Sequence, residues 1–338
     1  MNNEEKIKEE QALLTVSPSP HIRQGDSTRS VMTDVIIALL PALLWGVICF
    51  GLRALAVVLL SVGVAVLSEY GYERLMKKPV TTGDFSAALT GLLLGMTLSP
   101  AVPYYIPIVG SVFAIIVVKQ LFGGLGKNFM NPALAARVFL FAWPGQMTVF
   151  TEPFKRLSIF DGADAIAEIT ASATPLASLK AETLPDIAWV DIITGRCSGS
   201  IGEVSAILLI LGGIYLLLRK VITWHIPVSF IGSVLLLTLV FPQNEDVLAF
   251  VLSSLFSGGL ILGAFFMATD YVTSPITSQG KLIYGALCGA ITVFIRYFGG
   301  YPEGVSFAVI IMNSMVYYLD VFTRPRVFGK RKRGHGHG

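Results

Sequence analysis

The sequence has little charge. Only 14% of its 338 residues are Asp, Glu, Lys or Arg, against about 25% in an ordinary soluble chain. The mean hydropathy is +0.70. What charge there is lies crowded: 27 of the 47 charged residues fall within residues 1–34, 146–200 and 324–338. The rest cannot clothe itself in polar surface, which excludes a soluble enzyme, a nucleic-acid binder and a disordered chain. Cysteine is scarce as well. Cys49, Cys197 and Cys288 lie far apart with no CxxC spacing, which excludes a disulfide framework and a self-contained zinc or iron–sulfur centre. A glycine-rich dinucleotide fingerprint is missing too. The start, MNNEEKIKEE, is acidic and polar, so insertion is expected to rest on internal spans rather than a secretory signal.

Long apolar runs are what the chain does have. A spanning helix needs about 20 mostly apolar residues, because lipid cannot satisfy backbone polar groups. Ten segments qualify, near 35–52, 54–72, 84–103, 104–122, 128–145, 201–218, 222–241, 247–268, 282–298 and 305–322. The third and fourth hold Ser99-Pro100, Pro103 and Pro107 and read as broken helices. Placing both termini in the cytoplasm puts 18 of the 25 basic residues inside, as the positive-inside rule favours. The reverse would put RPRVFGKRKR outside. The expected organisation is a cytoplasmic segment 1–34, a first five-helix unit 35–145, an external loop 146–200, a second unit 201–322 and a basic cytoplasmic tail 323–338. The tail, with His335 and His337, reads as a topology determinant, with lipid headgroup contact or metal binding as the other reading. Tyr104, Tyr105, Trp143, Tyr297, Tyr301, Tyr317 and Tyr318 sit near span ends, as interfacial belts do.

Two markers repeat. Phe122-Gly123-Gly124 and Phe298-Gly299-Gly300 are 176 residues apart, and Ser99-Pro100 and Ser274-Pro275 are 175 apart. Each pair occupies the same place in its five-helix unit. Five crossings are odd in number, so the second copy enters the membrane inverted, the architecture of many transporters. The fold class is therefore an all-α polytopic membrane protein of about ten helices in two inverted five-helix repeats, with one larger external loop. On architecture alone, a channel or secondary transporter for a small solute is the leading reading.

Four places could carry chemistry. Asn128, Asn131 and Pro132 make a polar break opening the fifth span, read as an N-cap with proline at N1 or as a flavin or ion contact at a helix N-terminus. Thr269, Asp270, Thr273 and Ser274 cluster after the eighth span, as a solvated loop or as residues for ion coupling or flavin orientation. Arg137 lies mid-span, where an unpaired charge costs at least about 3 kcal/mol. It needs a partner, with Glu69 and a flavin as candidates. In the loop, Thr174 sits in Ala171-Ser172-Ala173-Thr174-Pro175-Leu176, among small residues and before proline, and so is locally extended.

The chain resembles the D subunits of Rnf electron-transport complexes and, more distantly, the B subunits of sodium-translocating NADH:quinone reductases. The resemblance runs through Ser19-Pro20-His21, Gly83-Asp84-Phe85-Ser86-Ala87-Ala88-Leu89-Thr90-Gly91, Asn128-Phe129-Met130-Asn131-Pro132-Ala133 and Ala173-Thr174-Pro175-Leu176. It continues in Ala268-Thr269-Asp270-Tyr271-Val272-Thr273-Ser274-Pro275 and Glu303-Gly304-Val305-Ser306-Phe307. These pieces cover nearly the whole chain, in order. The resemblance implies that Thr174 carries FMN through a phosphoester, installed by a flavin transferase, with Ser172, Ala173 and Pro175 around it. Here the family's Ser-Gly-Ala-Thr-like motif reads Ala-Ser-Ala-Thr. It also implies a second, non-covalent flavin between the spans, riboflavin in the quinone-reductase relatives. The expected contacts are Asn128, Asn131, Arg137, Thr269, Asp270, Thr273 and Ser274. The role implied is a membrane electron carrier of a ferredoxin:NAD+ oxidoreductase that moves Na+ or H+ across a prokaryotic cytoplasmic membrane. The implied partners are the A, B, C, E and G subunits, above all the FMN-bearing G subunit, and membrane lipid. No catalytic or metal-ligating residue is expected in this chain alone.

Overall fold

A computed structural model describes residues 27–155, 158, 174–181, 189–203 and 205–325. Ser19, Pro20, His21, Ser172, Ala173, His335 and His337 lie outside the described residues. The described part is helical, with no strand in it. The first five segments are α1 Thr28–Phe50, α2 Leu52–Leu75, α3 Ser86–Thr97, α4 Tyr105–Gln120 and α5 Pro132–Leu140. Short helices α6 Pro144–Met147, α7 Pro175–Lys180 and α8 Trp189–Thr194 belong to the polar middle segment. Then come α9 Ala206–Leu218, α10 His225–Val240, α11 Val247–Phe256, α12 Leu260–Met267, α13 Ser278–Phe298 and α14 Val305–Thr323.

Each expected span finds its helix, though not always its length. Helices α1, α2, α13 and α14 are long and apolar enough to cross a membrane, and α11 with α12 forms one more span bent by 53°. The chain is a multi-pass membrane protein. The third span, expected over 84–103, is helical only over Ser86–Thr97, about 18 Å at 1.5 Å per residue. Pro100 and Pro103 donate no backbone hydrogen bond, so the helix stops before them. Its open carbonyls are met from elsewhere in the chain: Ile201 N–H donates to Leu98 O (2.9 Å) and Gly202 N–H to Met96 O (2.7 Å). That interaction also shortens the sixth span, which starts as helix only at Ala206 under a Ser205 cap. The fifth span, expected over 128–145, is helical over Pro132–Leu140.

Buried arginines serve two helix breaks. Arg53, fully buried, donates to Pro100 O (2.9 Å) and Val102 O (3.4 Å) beyond α3. Arg296 donates to Ser254 O (2.6 Å) and Ser257 O (3.2 Å) at the α11–α12 bend. Each guanidinium sits where a half-helix leaves carbonyls and negative dipole unmet. Small residues bring backbones together elsewhere. A Cβ on Gly289 of α13 would meet Phe230 O of α10 at 2.7 Å, and one on Gly212 of α9 would collide with Ala38 O of α1. This is the close packing that membrane helices use in place of a hydrophobic drive. Leu39, Phe50, Leu94, Met96, Leu98, Ile106, Phe230, Phe250 and Tyr284 form the centre, while Leu44, Leu59, Leu67, Leu236 and Phe294 point outward, as lipid-facing residues do.

Candidate functional site: two clefts joined by the α5 and α14 helices

The first cleft, about 750 Å³ including its mouth, opens at the start of α5. Asn128, Asn131, Thr269 and Asp270 all line it, together with Phe265, Phe266, Tyr271, Ser86 and Lys119. Its walls are mainly apolar with a few polar groups, as the walls of small-molecule sites are. Asn131 caps α5 as its place before Pro132 predicts, accepting from Ala133 N–H (3.0 Å) and Leu134 N–H (3.3 Å). Its amide also donates to Met267 O (3.2 Å) at the end of α12, so cap and cleft wall are one residue. Asn128 donates to Met130 O (3.0 Å), while its buried Oδ1 has no partner. Thr273 donates to Asp270 (3.1 Å), and buried Ser274 stands beside it without lining the cleft. Burial raises the Asp270 carboxyl above its ordinary value, opposed by hydrogen bonds from Thr273 and from the backbone of Val272 and Tyr271.

The second cleft, about 500 Å³, is lined by Thr174, Pro175, Leu176, Phe150, Cys197, Ser198, Gly199, Glu203, the bend residues Phe256, Ser257 and Gly258, and Pro302 and Glu303. Thr174 caps α7, its Oγ1 accepting from Ala177 N–H (3.2 Å). That bond uses a lone pair and leaves the hydroxyl proton replaceable. The surrounding segment is seated on the helices: Phe154 N–H donates to Cys49 O (2.7 Å), Trp45 to Thr194 O (3.0 Å) and Lys180 to Gly299 O.

Arg137 lines neither cleft. It forms an ion pair with Glu303 and stands 3.7 Å from Glu203 Oε1, and both carboxylates line the second cleft. Glu69, the partner considered from sequence, is committed elsewhere: Lys119 Nζ pairs with it at 2.6 Å and also donates to Ser86 Oγ (2.6 Å). Gln120 donates to Glu69 (2.9 Å) and Glu73 (3.4 Å). Sequence reasoning passed over Glu203, Glu303, Lys119 and Asn313. Glu303 stood in a motif that carried the resemblance, and Arg137's need for a counter-charge was the signal that should have drawn attention to it.

Helices α5 and α14 tie the clefts together. With its amide turned to satisfy its neighbours, Asn313 of α14 accepts from Asn131 N–H (3.1 Å) and donates to Thr273 O (3.1 Å) at the first cleft. At the second, Glu303, just before α14, pairs with Arg137 of α5. The N-terminal end of α5 thus meets the body of α14, and its C-terminal part meets the start of α14, so the two run antiparallel. About 9 Å of helix axis separates Asn131 from Arg137.

Fold and clefts together define a helical, polytopic membrane protein with two clefts bridged by one helix pair. The profile of the NQR2, RnfD, RnfE family matches residues 15–329, and the chain belongs to that family. It is 46% identical over 323 residues to the D subunit of the Na(+)-translocating ferredoxin:NAD(+) oxidoreductase complex of Acetobacterium woodii, covering 94% of this chain and 96% of the relative. It is 41% identical over 331 residues to the proton-translocating counterpart of Clostridium ljungdahlii, covering 95% and 97%. It is 38% identical over 354 residues to the D subunit of the ion-translocating oxidoreductase complex of Yersinia enterocolitica, covering 95% and 100%.

Proposed function

We propose that the chain is the D subunit of an Rnf-type ferredoxin:NAD+ oxidoreductase that couples electron transfer to Na+ or H+ movement, and that it carries electrons between two flavin sites. FMN is tethered to Thr174 in the second cleft by a flavin transferase, and a non-covalent flavin, riboflavin in kind, occupies the first. The relatives' names support the complex. The observation that carries the electron-carrier reading is the α5–α14 pair, which ties a threonine-bearing cleft to a larger one lined by aromatic rings and an unpartnered amide oxygen. Flavins supply single-electron acceptance and donation there. The chain's own residues do the rest. Thr174 offers a hydroxyl at a fixed helix cap. Asn128 and Thr269 offer hydrogen bonds, Phe265, Phe266 and Tyr271 offer apolar walls, and Arg137 holds the helix pair in register.

The same reading places both termini in the cytoplasm, Thr174 outside, and the A, B, C, E and G subunits alongside in a lipid membrane. The inverted repeat is supported by its markers. Ser99-Pro100 falls between α3 and α4, and Ser274-Pro275 between α12 and α13. Phe122-Gly123-Gly124 follows α4, and Phe298 ends α13. A solute channel or secondary transporter is the second reading, favoured by the 53° bend at α11–α12, since broken helices at mid-membrane build transporter sites. A denaturing gel separates the two. The chain purified from cells containing the transferase is expected to fluoresce under ultraviolet light, and Thr174→Ala to be dark. A dark wild-type band would overturn the tethered flavin.

A further inference from the structure

Electron carriage uses Glu303 only as the partner of Arg137 and makes no use of Glu203, yet both carboxylates face the Thr174 cleft. They come from distant parts of the chain and converge on Gly259. A Cβ built there would stand 2.8 Å from Glu303 Oε1 and 3.0 Å from Glu203 Oε1, so the two oxygens are no farther apart than those lengths together. Glu203 keeps 10% of its side chain exposed and Glu303 14%. Two carboxylates this close in a dry site resist ionising together unless countered. The counter-charge is unequal. Arg137 pairs with Glu303 and reaches Glu203 only at 3.7 Å, while Arg296, hydrogen-bonded to the Ser254 and Ser257 carbonyls, adds its charge to both carboxylates from farther off.

Hydrogen bonding singles out the same carboxylate. Glu203 Oε1 is buried without a hydrogen-bond partner, and so is Ser257 Oγ on the cleft wall. A hydroxyl carries its own donor, whereas a carboxylate oxygen only accepts; a proton on Glu203 Oε1 makes that oxygen a donor. A metal cation fits poorly. It would need about six oxygens or more, where two guanidiniums already stand. Among the described residues no group of three His, Cys, Asp or Glu could hold a metal. The other ionisable groups near the pair are the Cys197 thiol on the cleft wall and Lys180, which donates to Gly299 O.

We propose that Glu203 and Glu303 form one proton-binding site, the proton residing on Glu203, and that the site takes up a proton when negative charge enters the Thr174 cleft and gives it back when that charge leaves. The proton site stands on this geometry alone; its coupling to charge rests on the tethered-flavin reading. The balance is one electron supplied by the complex and one proton from the water at the cleft mouth. The new bond is the O–H of Glu203, and the net charge of the cleft is unchanged.

Infrared difference spectroscopy tests site and coupling separately. Purified Thr174→Ala chain, titrated with acid in H2O and D2O, is expected to gain one carboxylic-acid carbonyl band that shifts in D2O and has a midpoint above that of exposed carboxylates. Glu203→Gln loses that band, and Glu203→Asp keeps it at a shifted midpoint. An undiminished band in Glu203→Gln overturns the site. Where Glu203→Gln does not fold, a midpoint in Glu203→Asp equal to the parent's overturns it instead. In the wild-type complex, poised oxidised and then reduced, the midpoint is expected to rise by about one pH unit, a tenfold gain in proton affinity. Equal midpoints in a complex whose band fluoresces on the gel overturn the coupling. A dark gel band sinks the flavin reading and leaves the first titration to decide the site.

Discussion

Arg137 shows what a single residue can and cannot announce. A guanidinium in mid-span had to have a partner, and it has two, Glu303 and Glu203. The partner's identity was hidden because Glu303 lies 166 residues away, and Glu69 was the carboxylate considered instead. Removing one member of a buried pair costs about 3–5 kcal/mol. Arg137→Ala is therefore expected to lower assembly and electron-transfer rate while the covalent flavin stays, measured as complex yield, turnover and gel fluorescence. Arg137→Gln with Glu303→Gln should do less harm than Arg137→Ala. Equal harm would deny the pair its role. Asp270 yields a pH prediction. Its carboxyl is raised by burial, so its contribution to stability is full below the ordinary carboxylate range and is lost as pH rises through the raised value. The stability of the solubilised wild type relative to Asp270→Asn should therefore fall as pH rises across that window. Thermal melts at a series of pH values read this directly, and a flat or rising difference would contradict it.

Helices were legible in place because an apolar run has no other way to cross lipid. Their lengths were not: of the ten spans expected, four helices and one bent pair among the described residues are long and apolar enough to cross. Pro100 and Pro103 marked the end of α3, but the late start of α9 depends on Ile201 and Gly202 donating to Leu98 and Met96, a contact no local pattern encodes. The α5–α14 tie through Asn131 and Asn313 was equally out of reach, although Asn131-Pro132 as cap and first helical residue was readable. Packing by small residues gives a prediction at this scale. On α13, a Cβ at Gly285 would collide with Ser229 Oγ and meet Ile226 O at 2.7 Å, both of α10. Gly63 on α2 has nothing within 4 Å. Overpacking costs about 1–3 kcal/mol, occasionally more. Gly285→Val should lower the melting temperature and yield of the purified chain, and Gly63→Val should not. Equal effects would mean that α10 and α13 do not meet closely.

For the whole molecule, the uneven charge separates an oily body from the segment that carries Thr174. The distribution of basic residues predicts the topology, and labelling tests it. All three native cysteines are buried, so in a chain freed of them Glu152→Cys should react with an impermeant maleimide from outside, and Gln279→Cys only after the membrane is opened. The reverse pattern would invert the assignment. The proposed tether at Thr174 and the proposed non-covalent ligand of the first cleft predict two kinds of flavin. The most direct measurement is to precipitate the purified chain with acid and count flavin in pellet and supernatant. One flavin retained and one released per chain is the expected result, with Thr174→Ala losing the retained flavin and keeping the released one. No retained flavin in the wild type, or retention undiminished in Thr174→Ala, would contradict the account.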